Sequence, residues 1–139
     1  MQPIEVLIAD DSTLILKVIK KALLENKISG HHFIEEKIHF AHNGIEAFDM
    51  MGKNKNISML ISDINMPFLN GDDLVEVLLD TELHHKMLTI FITSNESSIR
   101  SSTKKHTIGT IVKPFTYLTF SDQLEDLLWH HHENKKHKT

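Results

Sequence analysis

Three aspartates follow two apolar segments of this chain: Asp10 and Asp11 come directly after residues 4–9, and Asp63 comes directly after residues 58–62. If those segments are neighbouring strands, the three carboxylates lie close together and repel one another, so that one of them tends to keep its proton. A hard divalent cation removes this repulsion, and Mg²⁺ prefers oxygen ligands, one or two of them carboxylates. We therefore expect Asp11 and Asp63 to bind Mg²⁺ directly and Asp10 to bind it through water.

A hydroxyl pair and a lysine follow two further apolar segments. Thr93-Ser94 stands at the end of residues 87–93, and Lys113 follows residues 110–112. A phosphoryl group in transfer spreads negative charge over three oxygens, and proteins catalyse the transfer mainly by positioning and by neutralising that charge. The Lys113 ammonium can pair with one oxygen, and the Thr93 hydroxyl with the Ser94 backbone N–H can hold another.

Asp63 is the candidate nucleophile in this arrangement, because a carboxylate can form an acyl phosphate. Asn65 comes two residues later, where its backbone carbonyl can complete the metal's ligands. Since an all-oxygen octahedral site also accepts Mn²⁺, we expect Mg²⁺ as the cofactor, with Mn²⁺ able to substitute.

The elements that carry these residues alternate between short apolar runs and amphipathic helices. The runs at 4–9, 37–41, 58–62, 87–93 and 110–112 are too short for core helices and rich in branched residues, which predicts buried strands. Helical periodicity follows every run except the one at 87–93, which leads into a Ser-rich segment. The last helix is predicted over 116–129. The apolar faces of three helices are predicted to be Ile15, Val18, Ile19, Ala22 and Leu23; Ile45, Phe48 and Met51; and Leu118, Leu124, Leu127 and Leu128.

Five such strand–helix units predict an α/β protein with a parallel sheet covered on both faces. Right-handed crossovers make a doubly wound sheet the expected result. In these sheets the ligand site lies beyond the carboxyl ends of the strands. All the candidate site residues stand at that end.

The composition is that of an ordinary globular protein, with 139 residues, 40% of them hydrophobic and 24% charged. We expect one domain over 1–139, with its core at about 3–129 and a polar tail at 130–139. A net charge of −4 disfavours nucleic acid as a partner. Without cysteine, a membrane-length apolar run or a signal-peptide pattern, the chain is expected to be cytoplasmic and free of disulfides and membrane.

The chain resembles a response-regulator receiver domain over essentially its whole length. Each matching segment alone is weak, but together, in order and at the right strand ends, they are highly specific. The segments are Asp10-Asp11-Ser12, Leu60-Ile61-Ser62-Asp63-Ile64-Asn65-Met66-Pro67 through to Gly71, Ile92-Thr93-Ser94, and Ile111-Val112-Lys113-Pro114-Phe115. The resemblance implies a flavodoxin-like sheet of strand order 2-1-3-4-5 with five helices.

The resemblance also implies roles for the site residues. The family's phosphorylation site maps onto Asp63, its metal-binding acidic pair onto Asp10 and Asp11, its switch hydroxyl onto Thr93 and its lysine onto Lys113. The phosphoryl group is then expected from the phosphohistidine of a histidine kinase or phosphotransfer protein.

A signalling role without an independent enzyme activity is the further implication. The domain promotes only its own phosphotransfer and autodephosphorylation, and Asn65 and Asn95 provide no carboxylate to assist hydrolysis. It is expected to act as a diffusible messenger or phosphorelay intermediate, as a monomer or weak dimer, and to contact a downstream protein through the fourth helix, fifth strand and fifth helix. Pro114 is expected to follow a cis peptide bond, as is frequent in the family.

Three features depart from the family pattern. Thr110 stands where the family has a switch aromatic residue, three positions before the lysine. The polar connection at 26–37 is long. The Ser-rich segment at 94–106 has a single large apolar residue, Ile99, which predicts a short and weakly anchored helix. We hypothesise that this segment is mobile and becomes ordered on phosphorylation or partner binding.

Other functions fit the residues less well. A receiver-like interaction module that works without phosphorylation is the main alternative, because the switch aromatic is missing. A small Asp-dependent phosphatase would have Asp-x-Asp after the first strand instead of Asp10-Asp11. A flavin-binding module would need a Ser/Thr/Gly-rich phosphate loop there, and two aspartates would repel phosphate.

Overall fold

The computed structural model describes residues 3–25, 28, 30–83 and 87–136, and its strands form one five-stranded sheet. The strands are β1 (Val6–Ala9), β2 (Ile38–Ala41), β3 (Met59–Asp63), β4 (Leu88–Thr93) and β5 (Gly109–Val112). The helices are α1 (Thr13–Glu25), α2 (Gly44–Lys53), α3 (Gly71–Leu79), α4 (Ser101–Lys104) and α5 (Tyr117–Lys136). All neighbouring strands are parallel, in the order β2-β1-β3-β4-β5, which confirms the predicted doubly wound fold.

The central strands are buried on both faces, which explains why their sequences are apolar without alternation. Every residue of β1 and β3 is buried. Under α1 and α5 the strands contribute Val6, Ile8, Met59, Ile61, Ile90 and Ile92. Under α2 and α3 they contribute Leu7, Ala9 and Leu60. With both faces covered, polar chemistry is confined to the ends of the sheet.

Polar caps fix the start of the helices that follow the first three strands. Asn43 and Asn70 each accept a hydrogen bond at 2.8 Å from the backbone N–H three residues later. Ser12 accepts an equivalent bond at 3.3 Å from the Ile15 N–H. Because each cap satisfies an N–H group at the helix start, the loops between strand and helix are held in place.

Three apolar side chains predicted to face inward are exposed. Ile45, Phe48 and Leu118 are 57%, 39% and 53% exposed, so the prediction is wrong for them. Each lies off the stripe that packs on the sheet, because one helix face is too narrow to bury every apolar residue. The buried stripes are Ala47 and Met51 in α2, and Phe120, Leu124 and Leu128 in α5.

The last helix is longer than its apolar pattern predicts. α5 spans 20 residues to Lys136, so most of the predicted polar tail is helical, and residues 137–139 lie outside the described ranges. His132 in this extension has its Nε2 atom 2.9 Å from that of His31, which anchors the added turns. Even so, no helix in the described part of the chain is long and apolar enough to cross a bilayer.

The connection predicted at 26–37 as long and polar contributes to the core. Ile28 and Phe33 are 2% and 8% exposed. Residues 26, 27 and 29 lie outside the described ranges. The two buried side chains show that the connection packs against the domain despite its polar composition.

The segment at 94–106 is attached to α3 mainly through polar contacts. Its helix, α4, has four residues, and Ile99 just before it is 8% exposed. The Arg100 guanidinium lies 2.8 Å from Asp73 and 2.9 Å from Glu76, both on α3. The predicted helix is therefore short, as expected, but its anchor is more extensive than its apolar residues indicate.

A buried hydrogen bond completes this anchor. The Thr103 hydroxyl donates to the Asp72 carboxylate, and the two residues are 0% and 3% exposed. We predict that Thr103→Val, which keeps the side-chain shape but removes the donor, lowers the free energy of unfolding by about 1–3 kcal/mol. Urea denaturation measures this loss, and Thr13→Val, at an exposed helical position, is the matched control.

Hydrogen exchange of the same variants tests the mobility hypothesis. Amides of residues 99–106 should exchange faster in Thr103→Val than in the parent, because their anchor is weakened. In the parent, a phosphoryl analogue should slow their exchange if the segment becomes ordered on phosphorylation. Protection that is already high without the analogue would rule that hypothesis out.

Candidate functional site

The predicted site residues stand together at the carboxyl end of the sheet. Asp10 follows β1, Asp63 ends β3, Thr93 ends β4 and Lys113 follows β5. The parallel register brings these four strand ends level with one another. One edge of the sheet therefore carries two carboxylates, a hydroxyl and an ammonium.

Lys113 bridges two buried carboxylates. Its Nζ lies 2.8 Å from Asp10 Oδ2 and 3.3 Å from Asp63 Oδ2. Asp10 is 0% exposed and Asp63 is 5% exposed. The other Asp10 oxygen accepts a hydrogen bond from the Ser12 N–H at 2.8 Å. Both Asp10 oxygens therefore already have donors within the chain.

Asp11 adds a third carboxylate to the cluster. One oxygen from each of Asp10, Asp11 and Asp63 lies within 4.8 Å of the other two. Asp11 is exposed, whereas the other two are buried. Three carboxylate oxygens at this spacing suit Mg²⁺, and the exposed side leaves room for the waters that this ion keeps. The residues present therefore fit a Mg²⁺ ion.

The charges of the site are unbalanced. Burial raises the pKa of the Asp63 carboxyl, and the Asp10 charge raises it further, while Lys113 and the Asn65 backbone N–H partly oppose this shift. Burial alone would lower the pKa of Lys113, but its hydrogen bond to Asp10 and the two carboxylate charges raise it above its ordinary value. Lys113 is thus a cation at neutral pH, and it offsets only one of two buried negative charges.

The Thr93 hydroxyl is engaged with its own loop. It accepts a hydrogen bond from the Asn95 N–H at 3.2 Å and donates to the Asn95 carbonyl at 3.3 Å. Thr93 is fully buried, whereas Ser94 and Asn65 are exposed. Sequence reasoning brings all of these residues to the correct edge, but the structure joins only Asp10, Asp63 and Lys113 by direct side-chain contacts.

Two glycines shape the site through close backbone packing, which the sequence analysis did not predict. A Cβ on Gly71 would lie 2.4 Å from the Asp63 carbonyl oxygen, and one on Gly44 would lie 2.0 Å from the Leu69 carbonyl oxygen. Both positions need glycine because backbone passes directly over them. Each is the first residue of a helix and directly follows an asparagine cap, and this position was the signal that could have revealed them.

Strand β5 carries two notable features: a cis peptide bond directly after it and a small side chain at Thr110. The Lys113–Pro114 peptide bond is cis, as the family resemblance predicts. Thr110, at the position of the family's switch aromatic, lies opposite Phe91 of β4. Its hydroxyl is buried and has no hydrogen-bond partner among the described residues. The space beside β5 therefore holds a small polar side chain where an aromatic ring is usual.

Comparison with known proteins identifies the family. A model of the response regulator receiver domain matches residues 6–125. The chain is 32% identical over 126 residues to a chemotaxis protein CheY homolog of Campylobacter jejuni, covering 89% of this chain and 92% of that one. It is 29% identical over 126 residues to CheY1 of Helicobacter pylori, covering 89% and 96%. The chain belongs to the response regulator receiver domain family.

Solved structures share the fold. The chemotaxis response regulator CheY4 of Vibrio cholerae superposes with a TM-score of 0.73 at 24% identity, covering 91% of this chain and 99% of that one. TrrA of Thermotoga maritima, solved in complex with Mg²⁺ and beryllofluoride, gives 0.67 at 22% identity, covering 88% and 96%. Receiver domains of this kind are signalling domains that interact with histidine kinases and downstream targets and bind Mg²⁺ at an acidic cluster, which this chain has.

The charge imbalance predicts that Asp63→Asn stabilises the protein when a chelator removes divalent cations. Because the folded-state pKa of Asp63 is raised, ionising this carboxyl destabilises the fold above that pKa. The destabilisation is absent below the ordinary value of 3.8. At pH 7 the variant should gain on the order of 1 kcal/mol, or about 2–4 °C in Tm. The gain should shrink as the pH falls towards 3.8.

Thermal unfolding followed by circular dichroism measures this difference. Asp126→Asn, at a carboxylate whose side chain is 72% exposed, is the control and should change Tm little. Adding Mg²⁺ should stabilise the parent more than Asp63→Asn. A variant that is less stable than the parent at pH 7 in chelator would contradict the charge account.

Proposed function

We propose that this chain is a response regulator that accepts a phosphoryl group on Asp63 from the phosphohistidine of a histidine kinase or phosphotransfer protein. The observation that carries the proposal is the bridge of Lys113 between Asp10 and Asp63, next to Asp11. This set joins a carboxylate nucleophile to a fixed cation and a metal-binding cluster. Membership of the receiver family supports the same reaction.

The transfer exchanges one bond for another. An Asp63 oxygen forms a P–O bond as the P–N bond of the phosphohistidine breaks, and the electron pair returns to the imidazole nitrogen. The Lys113 ammonium, which lies 3.3 Å from Asp63, would neutralise a phosphoryl oxygen. When bound, Mg²⁺ supplies further neutralisation of the phosphoryl charge.

The proposed metal ligands are those expected from the sequence. Asp11 and Asp63 would bind Mg²⁺ directly, with the Asn65 backbone carbonyl, and Asp10 would act through water. The hydrogen bonds that Asp10 accepts from Ser12 and Lys113 support this indirect role. Mn²⁺ is expected to substitute, since it accepts the same oxygen ligands.

The remaining phosphoryl oxygen is assigned to the end of β4. The Thr93 hydroxyl would leave its hydrogen bonds with Asn95 to hold this oxygen, together with the Ser94 backbone N–H. Ser94 is exposed and therefore accessible to a ligand. The switch would then begin with a rearrangement of the Thr93–Asn95 turn rather than with an aromatic ring at position 110.

The biological setting belongs to the same proposal. The chain would act as one receiver domain in the cytoplasm, as a monomer or weak dimer, and would pass its signal to an unidentified protein rather than to nucleic acid. It would promote its own phosphotransfer and autodephosphorylation without turning over other substrates. Thr110 favours one alternative, a receiver-like module that signals without phosphorylation.

Labelling with a small phosphodonor distinguishes these two functions. After incubation with acetyl phosphate and Mg²⁺, intact-mass spectrometry should show one added phosphoryl group on the parent and none on Asp63→Asn. Chelation of Mg²⁺ should abolish the labelling. Asp126→Asn, which removes an exposed carboxylate on α5, should be labelled like the parent.

Binding of beryllofluoride tests the case in which the aspartyl phosphate is hydrolysed before it can be detected. TrrA was solved with Mg²⁺ and beryllofluoride, so the same pair is a suitable probe of this site. The parent should bind it and Asp63→Asn should not. A parent that neither takes up a phosphoryl group nor binds beryllofluoride would favour the phosphorylation-independent alternative.

A further inference from the structure

Phe68, in the loop between β3 and α3, has an unusual backbone conformation. Its φ is 70°, and it is the one non-glycine residue with positive φ among those the structure describes. The Leu69 N–H donates to the Pro67 carbonyl at 2.8 Å, which closes a three-residue turn around Phe68. A γ-turn with positive φ is rare and strained, and glycine or asparagine enters this region far more readily than a bulky residue.

The Phe68 side chain obtains little packing within the chain, because the residue is 81% exposed. The surrounding loop is nevertheless fixed. The Gly71 N–H donates to the Ile64 carbonyl at 2.8 Å, and the Leu69 backbone presses on Gly44 at the start of α2. A strained residue that holds an aromatic ring in solvent on a fixed loop is typical of a binding function rather than of folding.

Phe68 lines a groove of about 490 Å³ together with residues of α2. Ile45, which is 57% exposed, is the second apolar residue of the lining, and Asn43, Glu46 and Asp49 complete it. The groove thus combines two exposed apolar side chains with two carboxylates. Such a surface fits a protein segment that presents an apolar residue beside a lysine or arginine.

The acidic residues of the groove keep most of their capacity for a partner. His42 lies 3.4 Å from Glu46, and Lys53 lies 2.9 Å from Asp49, in each case four residues away on the chain. All four side chains are more than 40% exposed. Exposed ion pairs of this kind contribute little, so a cation from a partner can replace them at low cost.

The groove lies beside the strand ends that carry the phosphoacceptor site. Its two sides are the segments that follow β2 and β3, and the Asp10 N–H donates to the Ala41 carbonyl at 3.0 Å at the end of β2. Gly71, at the end of the Phe68 loop, packs on the Asp63 backbone. A protein that delivers a phosphoryl group to Asp63 must approach this rim and can cover the groove.

We propose that Phe68 and Ile45 form a docking surface for the phosphohistidine domain of the donor protein, with Glu46 and Asp49 pairing with its basic residues. This inference rests on the proposed phosphoryl transfer to Asp63. The strain at Phe68 is retained because the ring becomes buried only in the complex. Docking on this surface selects the protein donor and has no part in labelling by a small phosphodonor.

Phe68→Asn separates docking from folding. Asparagine tolerates positive φ, so the variant should unfold at a Tm equal to or above that of the parent. The phosphorylated histidine domains of the source organism's kinases are assayed with the parent, and the fastest is taken as the donor. With that donor, kcat/KM for transfer to Phe68→Asn should fall about tenfold or more, mainly through KM, as for an interface anchor. Labelling by acetyl phosphate should be unchanged.

Matched variants sharpen the comparison. Ile45→Gln should reduce transfer from the protein donor in the same way, whereas Trp129→Gln, which removes a 53% exposed aromatic side chain from α5, should not. Glu46→Lys should slow transfer and make it less sensitive to salt, because it removes an attraction for the donor's cations.

The outcomes distinguish this inference from the function on which it rests. If neither acetyl phosphate nor any histidine domain labels the parent, the proposed function itself fails. If acetyl phosphate labels the parent but no histidine domain does, or if Phe68→Asn accepts the phosphoryl group from the donor as well as the parent does, the docking surface is refuted. Equal loss with both phosphodonors would also refute it, since Phe68 would then act on the Asp63 site.

Discussion

A single ammonium shared by two buried carboxylates is the interaction on which the site depends. Lys113 reaches Asp10 and Asp63 only because β1, β3 and β5 end level with one another in a parallel sheet. One lysine cannot balance both charges, and burial together with the Asp10 charge raises the pKa of Asp63. In the proposed function, the excess negative charge would attract a divalent cation, and this cation would offset the charge of the phosphoryl group that Asp63 accepts. The charge that destabilises the fold and the proposed chemistry would then have the same origin.

The two sides of the site are held in different ways, the α2 side by close backbone packing and the β4 side by polar contacts. On the α2 side, Gly44 and Gly71 let the backbone pack closely, so the loop after Asp63 is fixed. On the β4 side, the chain leaves Thr93 and enters a segment held to α3 by ion pairs and by the buried Thr103–Asp72 hydrogen bond. Polar anchors can break and re-form without opening the apolar core. We therefore expect a change of charge at Asp63 to be transmitted through the β4–α4 segment rather than through α2.

The sequence allowed the fold and the site edge to be predicted because short apolar runs and the polar residues after them are local signals. The resemblance to receiver domains supplied the strand order. Long-range polar pairs have no such signal, and the Thr103–Asp72 bond joins residues 31 positions apart. The helical extension of α5 has a polar composition, so apolar periodicity ended the helix too early. The positive φ of Phe68 was equally hidden, since residue type alone favours glycine or asparagine there.

Chemical location of the phosphoryl group tests the central claim most directly. Borohydride reduces an acyl phosphate to an alcohol, so a phosphorylated aspartate becomes homoserine. The parent, treated with acetyl phosphate and Mg²⁺, then reduced and digested, would be sequenced by tandem mass spectrometry. The account predicts homoserine at position 63 alone. Homoserine at Asp10 or Asp11, with Asp63 unmodified, would contradict it.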